Sequence, residues 1–151
     1  MILDYGSHDT RRPDTINVDL FGHVDVDVVV KAGGTLPFPD ETFDIVLSSQ
    51  VMEHNRHIEA YYREAARVLK PWGFLYLHFP HRFQPYDGHT GRWFRHWFTN
   101  RPGFNWQSRG YHKRVSSPYF PVWVDMAPYW RQVKALLFKR NPYDLLTGGK
   151  L

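Results

Sequence analysis

The segment of residues 36–73 constrains the fold of this chain more than any other, and it reads LPFPDETFDIVLSSQVMEHNRHIEAYYREAARVLKPWG. It contains a proline-bearing turn, a near-continuous apolar run at residues 43–49 and an amphipathic stretch at residues 57–69. The apolar run is typical of a strand covered on both faces, and the stretch after it has helical spacing. A buried strand followed by a helix is the repeating unit of a parallel α/β sheet.

The predicted helix at residues 57–69 has one apolar side and one charged side. The apolar side is formed by Ile58, Tyr61, Tyr62, Ala65, Val68 and Leu69. We expect the charged positions to face water, and these are Arg56, Glu59, Arg63, Glu64 and Arg67. Pro71 and Gly73 then end the helix.

Four further apolar runs predict strands, at residues 1–5, 16–20, 27–31 and 74–79. No sustained period is visible in residues 80–127, and a second helix is predicted at residues 128–140. Strands separated by turns and one crossover helix favour an α/β fold with a mostly parallel sheet.

The length of 151 residues predicts a single domain, residues 1–151, but its charge is divided unevenly. Residues 1–80 hold 7 Lys or Arg against 12 Asp or Glu, whereas residues 81–151 hold 12 against 3. We therefore expect residues 1–80 and the basic, aromatic residues 81–151 to have different roles within the domain. The chain has no cysteine and no signal-peptide pattern at its start, which favours a cytoplasmic location.

Small and polar residues follow the predicted strands at the edge where α/β sheets bind ligands. Asp4 and Gly6 end the first strand, Asp19 ends the second, and Ser48 lies at the end of the fourth. An acid after the second strand can accept both hydroxyls of a ribose, and a glycine after the first lets a ligand approach the backbone.

Residues 1–91 resemble the class I S-adenosylmethionine-dependent methyltransferases, in the group with a type 11 methyltransferase domain. The resemblance is carried by LPFPDETFDIVLSSQVMEH, REAARVLKPWGFLYL and INVDL, with FPHRFQPYDGHTG similar to a subset of that group. It implies a seven-stranded Rossmann-like sheet, bound S-adenosyl-L-methionine and methyl transfer to a small-molecule or glycan-type acceptor. It also implies that residues 1–80 are the cofactor-binding half and that residues 81–151 are the acceptor or partner half.

The resemblance also implies roles for single residues. Asp4 and Gly6 would line the methionine end of the cofactor, and Asp19 would hold its ribose. Ser48 would lie beside the cofactor, below the methyl group that is transferred.

The chain departs from the family pattern in its first loop, which reads Asp4-Tyr5-Gly6-Ser7-His8-Asp9-Thr10. His8 and Thr10 stand where the family has glycines, and Trp72 replaces a glycine of the Lys-Pro-Gly-Gly turn. Only residues 6–15 link the first two strands, so we expect a compact fold in which the first helix is vestigial or missing and no helices precede the first strand. These departures support an alternative function, a catalytically degenerate module that binds a partner protein or a membrane surface.

Two histidines are candidates for general-base catalysis, His54 after the fourth strand and His81 after the fifth. An alternative for His54 is that it orients the start of the helix, together with Glu53. The spacing of the nine histidines matches no metal-binding motif, so no metal site is predicted.

The basic, aromatic second half has three interpretations. It could bind an anionic small substrate or be a solvated surface, and the amphipathic segment at residues 128–140 could rest on an anionic membrane. Nucleic-acid binding through phosphate contacts and stacking is the interpretation that the pattern favours least. Exposed apolar area at the missing helices would favour a homodimer or another protein partner.

Overall fold

The computed structural model describes residues 1–8, 12–22, 26–80, 82, 86–87, 92–94, 104–125 and 144–149. Its elements in chain order are β1 (Ile2–Tyr5), β2 (Thr15–Asp19), β3 (Val28–Val29), β4 (Phe43–Ser49), α1 (Ile58–Val68), β5 (Leu69–Phe79), β6 (Tyr86–Asp87), β7 (Arg92–Trp93), α2 (Arg109–Ser116), β8 (Val122–Asp125) and β9 (Asp144–Gly149).

Seven of these strands form one sheet in the order β3-β2-β1-β4-β5-β9-β8, and β6 pairs with β7 separately. Strands β1 to β5 pair in parallel, whereas β9 runs antiparallel between β5 and β8. The chain builds outward from β1 through β2 to β3 and then returns to place β4 on the other side of β1. The mostly parallel, Rossmann-like sheet expected from the sequence is therefore confirmed, with its switch point between β1 and β4.

The core lies on the sheet face that α1 covers. Leu3, Val46 and Leu75 are neighbours across β1, β4 and β5, and all three are fully buried. The helix contributes buried side chains that include Tyr61, Tyr62 and Ala65, as its apolar spacing predicted. Helix α2 packs against α1, so both helices lie on the same side of the sheet.

Several element boundaries differ from the sequence-based expectation. Strand β5 starts at Leu69 rather than at residue 74, because Leu69 pairs with Phe43 before an irregularity shifts the register. Helix α2 and the strands β8 and β9 were not predicted. The expected helix at residues 128–140 lies outside the described residues.

The connection between β1 and β2 contains no helix in residues 6–8 and 12–14, the part of it that the structure describes. This agrees with the short spacing of the two strands. Among the described residues, no helix has both the length and the apolar character that crossing a membrane requires.

Two charged residues of α1 that were expected to face water are instead tied to the turn before β4. Glu64 is buried and accepts hydrogen bonds from the Leu36 backbone N–H at 2.9 Å and from Arg67 Nη2 at 2.8 Å. Arg67 also donates to the carbonyl oxygens of Leu36 and Phe38 and to Asp40. The expectation was wrong for Glu64, which is buried, and Arg67 is only partly exposed, because both side chains pair with the turn.

Candidate functional site

A cavity of about 590 Å³ opens at the carboxyl ends of β1, β2 and β4. Its lining comes from four places in the chain: Tyr5, Gly6, Ser7, His8 and Arg12 after β1, Asp19, Leu20 and Phe21 after β2, Gly33, and Ser49, Gln50, Val51, His54, Asn55 and Tyr61 after β4. This is the edge of an open α/β sheet where the switch point leaves a crevice for a ligand.

The turn after β1 depends on a glycine. Gly6 has a φ of +91°, and its N–H donates to the Val18 carbonyl at 2.7 Å. A Cβ added to Gly6 would lie 2.3 Å from Val51 Cγ2, which is closer than real side chains approach. Gly6 therefore allows the loops after β1 and β4 to pack together at the floor of the cavity.

His8 stands where the family loop has a glycine, and it keeps a glycine-like backbone. Its φ is +54°, in the left-handed region that costs a residue with a side chain roughly 1–2 kcal/mol. Its N–H donates to Asp19 Oδ2 at 2.8 Å. The loop therefore keeps a left-handed turn at this position, where the sequence has lost the glycine.

Asp19 lies where the sequence placed it, buried at the end of β2 and lining the cavity. Its two oxygens accept backbone hydrogen bonds from His8 at 2.8 Å and from Phe21 at 3.1 Å. These bonds fix the orientation of the carboxylate. Each oxygen keeps a second lone pair that can accept from a ligand hydroxyl.

Asp4 is buried and does not line the cavity. Its Oδ2 accepts from Arg12 Nε at 2.7 Å, while its Oδ1 is buried with no hydrogen-bond partner. Burial raises the pKa of Asp4, the Arg12 charge opposes that rise, and the Asp19 charge adds to it. Arg12 lines the cavity and Asp4 does not, although the sequence analysis proposed Asp4 and not Arg12 as a cofactor-binding residue.

Ser48 also lies outside the cavity lining, whereas its neighbour Ser49 is part of it. Ser48 is buried, and its hydroxyl lies beside that of Tyr61 without hydrogen-bond geometry. Consecutive strand residues point to opposite faces, so only the pairing of β4 with its neighbours decides which serine meets the ligand.

Of the two candidate bases, His54 lines the cavity and its ring lies 4.6 Å from that of Phe104. His81 lies outside the described residues. The structure adds a third histidine, which does not line the cavity itself but contacts a residue that does. His78 Nδ1 lies 3.1 Å from the hydroxyl of Ser49.

Burial lowers the pKa of His78, the nearby Glu53 charge opposes this, and Arg12 lowers it further. The imidazole is therefore held more in its neutral form, which can accept a proton. A partial signal was present in the sequence, since His78 lies one residue before the end of β5. Within the described ranges, no group of three or more His, Asp or Glu side chains is arranged to hold a metal ion.

The sequence of residues 8–77 matches the family described as Methyltransferase domain, type 11. These residues, just under half of the chain, carry the sequence of a methyltransferase domain, and the chain resembles the class I S-adenosylmethionine-dependent methyltransferases. The match begins at His8 in the loop after β1 and includes Asp19, β4 and α1, each of which contributes to the cavity lining. Curated proteins give no match by sequence.

Solved methyltransferase structures share the fold at low sequence identity. A methyltransferase from Thermotoga maritima is 16% identical with a TM-score of 0.71, over 99% of this chain and 82% of that one. The methyltransferase complexed with the Trm112 activator of Haloferax volcanii is 15% identical with a TM-score of 0.63, over 99% and 81%. Geranyl diphosphate C-methyltransferase from Streptomyces coelicolor, bound to S-adenosyl-L-homocysteine, is 14% identical with a TM-score of 0.65, over 99% and 69%.

The cofactor of this methyltransferase family is S-adenosyl-L-methionine, and the cavity fits it in three respects. Its volume of about 590 Å³ lies within the usual range for ligand pockets. The buried hydroxyl of Ser7 lines it and has no hydrogen-bond partner, so a polar ligand atom can satisfy it. Two backbone hydrogen bonds hold the Asp19 carboxylate in place, and its oxygens keep lone pairs that can accept hydrogen bonds from the ligand.

Proposed function

We propose that the protein transfers a methyl group from S-adenosyl-L-methionine to a small-molecule or glycan-type acceptor. The observation that carries this proposal is the cavity in which the Gly6 turn, the unpartnered Ser7 hydroxyl and the Asp19 carboxylate face one space. When bound, S-adenosyl-L-methionine supplies a methyl group that its positively charged sulfur activates. The chain contributes binding, orientation and exclusion of water.

Three parts of the chain would hold the cofactor. Asp19 would accept hydrogen bonds from the ribose hydroxyls, and the Gly6–Ser7 turn would hold the methionine end. Ser49 and Gln50 border the space where the acceptor must enter, because they follow β4 and line the cavity. Asp4 and Ser48 do not line the cavity and would act through residues that do. Asp4 holds Arg12, and Ser48 lies beside Tyr61.

His54 is our first candidate for the general base, and it would accept a proton from a hydroxyl acceptor. It lines the cavity beside Asn55, so an acceptor in this space can reach it. His81 is kept as the second candidate. A His54→Gln variant should lower the rate of methylation of a hydroxyl acceptor by about 10²- to 10⁴-fold and leave cofactor affinity unchanged.

Calorimetric titration with S-adenosyl-L-homocysteine tests cofactor binding directly. Asp19→Asn should weaken binding about ten- to a hundredfold, because an amide cannot keep both backbone bonds and both ribose bonds. Asp14→Asn is the matched control, since Asp14 is an exposed acid of the same connection. A folded wild-type protein that binds neither S-adenosyl-L-homocysteine nor S-adenosyl-L-methionine at millimolar concentration would refute the proposal.

The acceptor class can be found by following the methyl group. The protein is incubated with methyl-labelled S-adenosyl-L-methionine and either a small-molecule extract or a purified glycan pool. Label in one of these pools, absent with Asp19→Asn, supports the corresponding acceptor class. Cofactor binding without label in either pool favours the alternative of a degenerate binding module.

The absence of cysteine fits a reducing compartment, and we propose that the protein is located in the cytoplasm.

A protein partner is a second candidate role, favoured by exposed apolar side chains on β5 and β8. Phe74 and Val122 are 59% and 51% exposed and are both register neighbours of Gly149, so they share one sheet face. The Haloferax volcanii protein is complexed with an activator. We propose that a second copy of this chain covers this face. Light scattering should report a dimer that Phe74→Lys converts to monomer, and a monomeric wild-type protein contradicts it.

A further inference from the structure

An arginine occupies the wall of the cavity between β1 and β2. Arg12 lines the cavity, and its Nε donates to Asp4 Oδ2 at 2.7 Å. That bond uses one edge of the guanidinium group. Among the described residues, neither terminal nitrogen of Arg12 has a hydrogen-bond partner, so four N–H donors are left over.

Ser7 provides an independent observation in the same cavity. Its side chain is more than nine-tenths buried, and its hydroxyl has no hydrogen-bond partner. Its backbone N–H is already bonded to the Val18 carbonyl at 3.2 Å, which holds the residue in place. An unpartnered buried hydroxyl costs free energy unless a ligand or a water satisfies it.

These two groups are the donors that a carboxylate requires. A guanidinium presents parallel N–H groups that match the two oxygens of a carboxylate, and a hydroxyl can donate a further bond. Phosphate is recognised by similar donors, but the fixed charges argue against it. Asp4 interacts with both Arg12 and Asp19, so these three side chains together carry a net negative charge, which disfavours a dianion and suits a ligand that also carries positive charge.

We propose that Arg12 and Ser7 form a carboxylate subsite that anchors the amino-acid end of the cofactor. The inference rests on the proposed function, because it assumes that the cavity holds S-adenosyl-L-methionine. Asp4 is a positioning residue, since it contacts Arg12 and not the cavity. The arginine thus supplies an anchor in a connection that has no helix in its described part.

The test compares two ligands that differ only at the amino-acid end. S-adenosyl-L-homocysteine carries the carboxylate, whereas methylthioadenosine has the same nucleoside and thioether without it. Arg12→Gln should weaken S-adenosyl-L-homocysteine about ten- to a hundredfold and change methylthioadenosine by less than about twofold. The affinity of Arg12→Lys for S-adenosyl-L-homocysteine should lie between those of wild type and Arg12→Gln, because an ammonium group keeps the charge but cannot donate two parallel hydrogen bonds.

Two further variants separate a binding role from a structural one. Arg12→Gln leaves Asp4 as an unpaired buried acid, so the double variant Asp4→Asn/Arg12→Gln removes the ion pair as a unit. It should show the same selective loss of S-adenosyl-L-homocysteine. Ser7→Ala should weaken S-adenosyl-L-homocysteine about threefold to tenfold without affecting methylthioadenosine.

Equal losses for both ligands in all of these variants would overturn the inference, because Arg12 would then only support the loop. Unchanged S-adenosyl-L-homocysteine affinity would also overturn it, since the carboxylate would lie elsewhere. Wild-type protein that binds methylthioadenosine as tightly as S-adenosyl-L-homocysteine refutes the subsite and leaves the proposed function standing. If the wild type binds neither ligand, both proposals fail.

Discussion

The ring of Tyr61 in α1 stacks on the ring of Tyr5 in β1, with centroids 4.3 Å apart and planes 14° from parallel. Both residues line the cavity, so this stack joins the helix to the strand beneath the binding site. Burial raises the pKa of Tyr5 to about 12 and that of Tyr61 well above its usual value, so both hydroxyls stay protonated near neutral pH.

Tyr61→Ala should lower the free energy of unfolding by about 3 kcal/mol or more, because it leaves a cavity in the core and removes the stack. Tyr61→Phe keeps the ring and removes a buried hydroxyl that has no hydrogen-bond geometry, so its stability should stay within about 1 kcal/mol of wild type. Urea unfolding followed by circular dichroism measures both. An equal loss in the two variants would show that the hydroxyl, and not the ring, is what matters.

Gly6→Ala should be damaging, since the new Cβ would lie 2.3 Å from Val51 Cγ2 and the φ of +91° is strained for alanine. We expect a loss of at least about 1–3 kcal/mol in unfolding free energy, with weaker S-adenosyl-L-homocysteine binding by calorimetry. Gly110→Ala is the matched control. The nearest atom to its added Cβ is 3.8 Å away and it lies in α2, so it should be neutral or stabilising by up to about 1 kcal/mol.

Arg67→Ala should destabilise the protein by about 2–4 kcal/mol, because it leaves the buried Glu64 carboxylate without its cation and frees the turn before β4. The ion pair with Arg67 and the Leu36 N–H outweigh burial and lower the pKa of Glu64. Arg63→Ala, at an exposed position of the same helix, should change stability by less than about 0.5 kcal/mol. Similar losses for both variants in urea unfolding would contradict the role given to the pair.

His112 should make the fold sensitive to mild acid. It is buried against Phe79, its Nδ1 lies 2.9 Å from the Tyr62 hydroxyl, and burial lowers its pKa to about 3. The unfolded state takes up a proton below pH 6.5, while the folded state stays neutral until about pH 3. Stability is therefore complete above pH 6.5 and is lost as the pH falls, by up to about 1.4 kcal/mol per pH unit.

His112→Asn removes this titration and keeps a polar atom near Nδ1. At pH 7 the variant should have a lower free energy of unfolding than wild type. At pH 5 this difference should be smaller by about 2 kcal/mol, as measured by urea unfolding of both proteins. The comparison cancels the other groups that titrate in this range, including His78. A deficit that is equal at both values would mean that His112 is not the group responsible.

Periodicity and apolar runs were enough to predict the elements that form the floor of the site. The strands β1, β2 and β4 and the helix α1 each carry a continuous or helical apolar pattern, and each lies within about one residue of its expected bounds. Helix α2 escaped prediction because its eight residues are mostly polar. It is held by the Ser108 hydroxyl, which accepts from the Tyr111 N–H at 3.1 Å, and by the burial of His112.

The site residues also divide into those that local sequence predicts and those that it does not. Gly6 and Asp19 were predicted because a turn glycine and a strand-end acid can be recognised from local sequence. Ser48 and Ser49 could not be told apart, because a shift of one residue in the pleat exchanges their faces. Arg12 could not be placed either, since nothing local predicts that its guanidinium reaches the acid eight residues before it.

The sequence by itself determined the resemblance to a methyltransferase domain, the strand and helix segments around the cavity and the acid at the end of β2, because these depend on local patterns of side chains. Only the tertiary structure decided which side chains line the cavity. It placed Arg12 over Asp4, turned Ser49 and not Ser48 into the cavity, and buried Glu64 and His112. Those outcomes depend on strand pairing and packing between residues far apart in the chain, which set burial and hence charge, protonation and access.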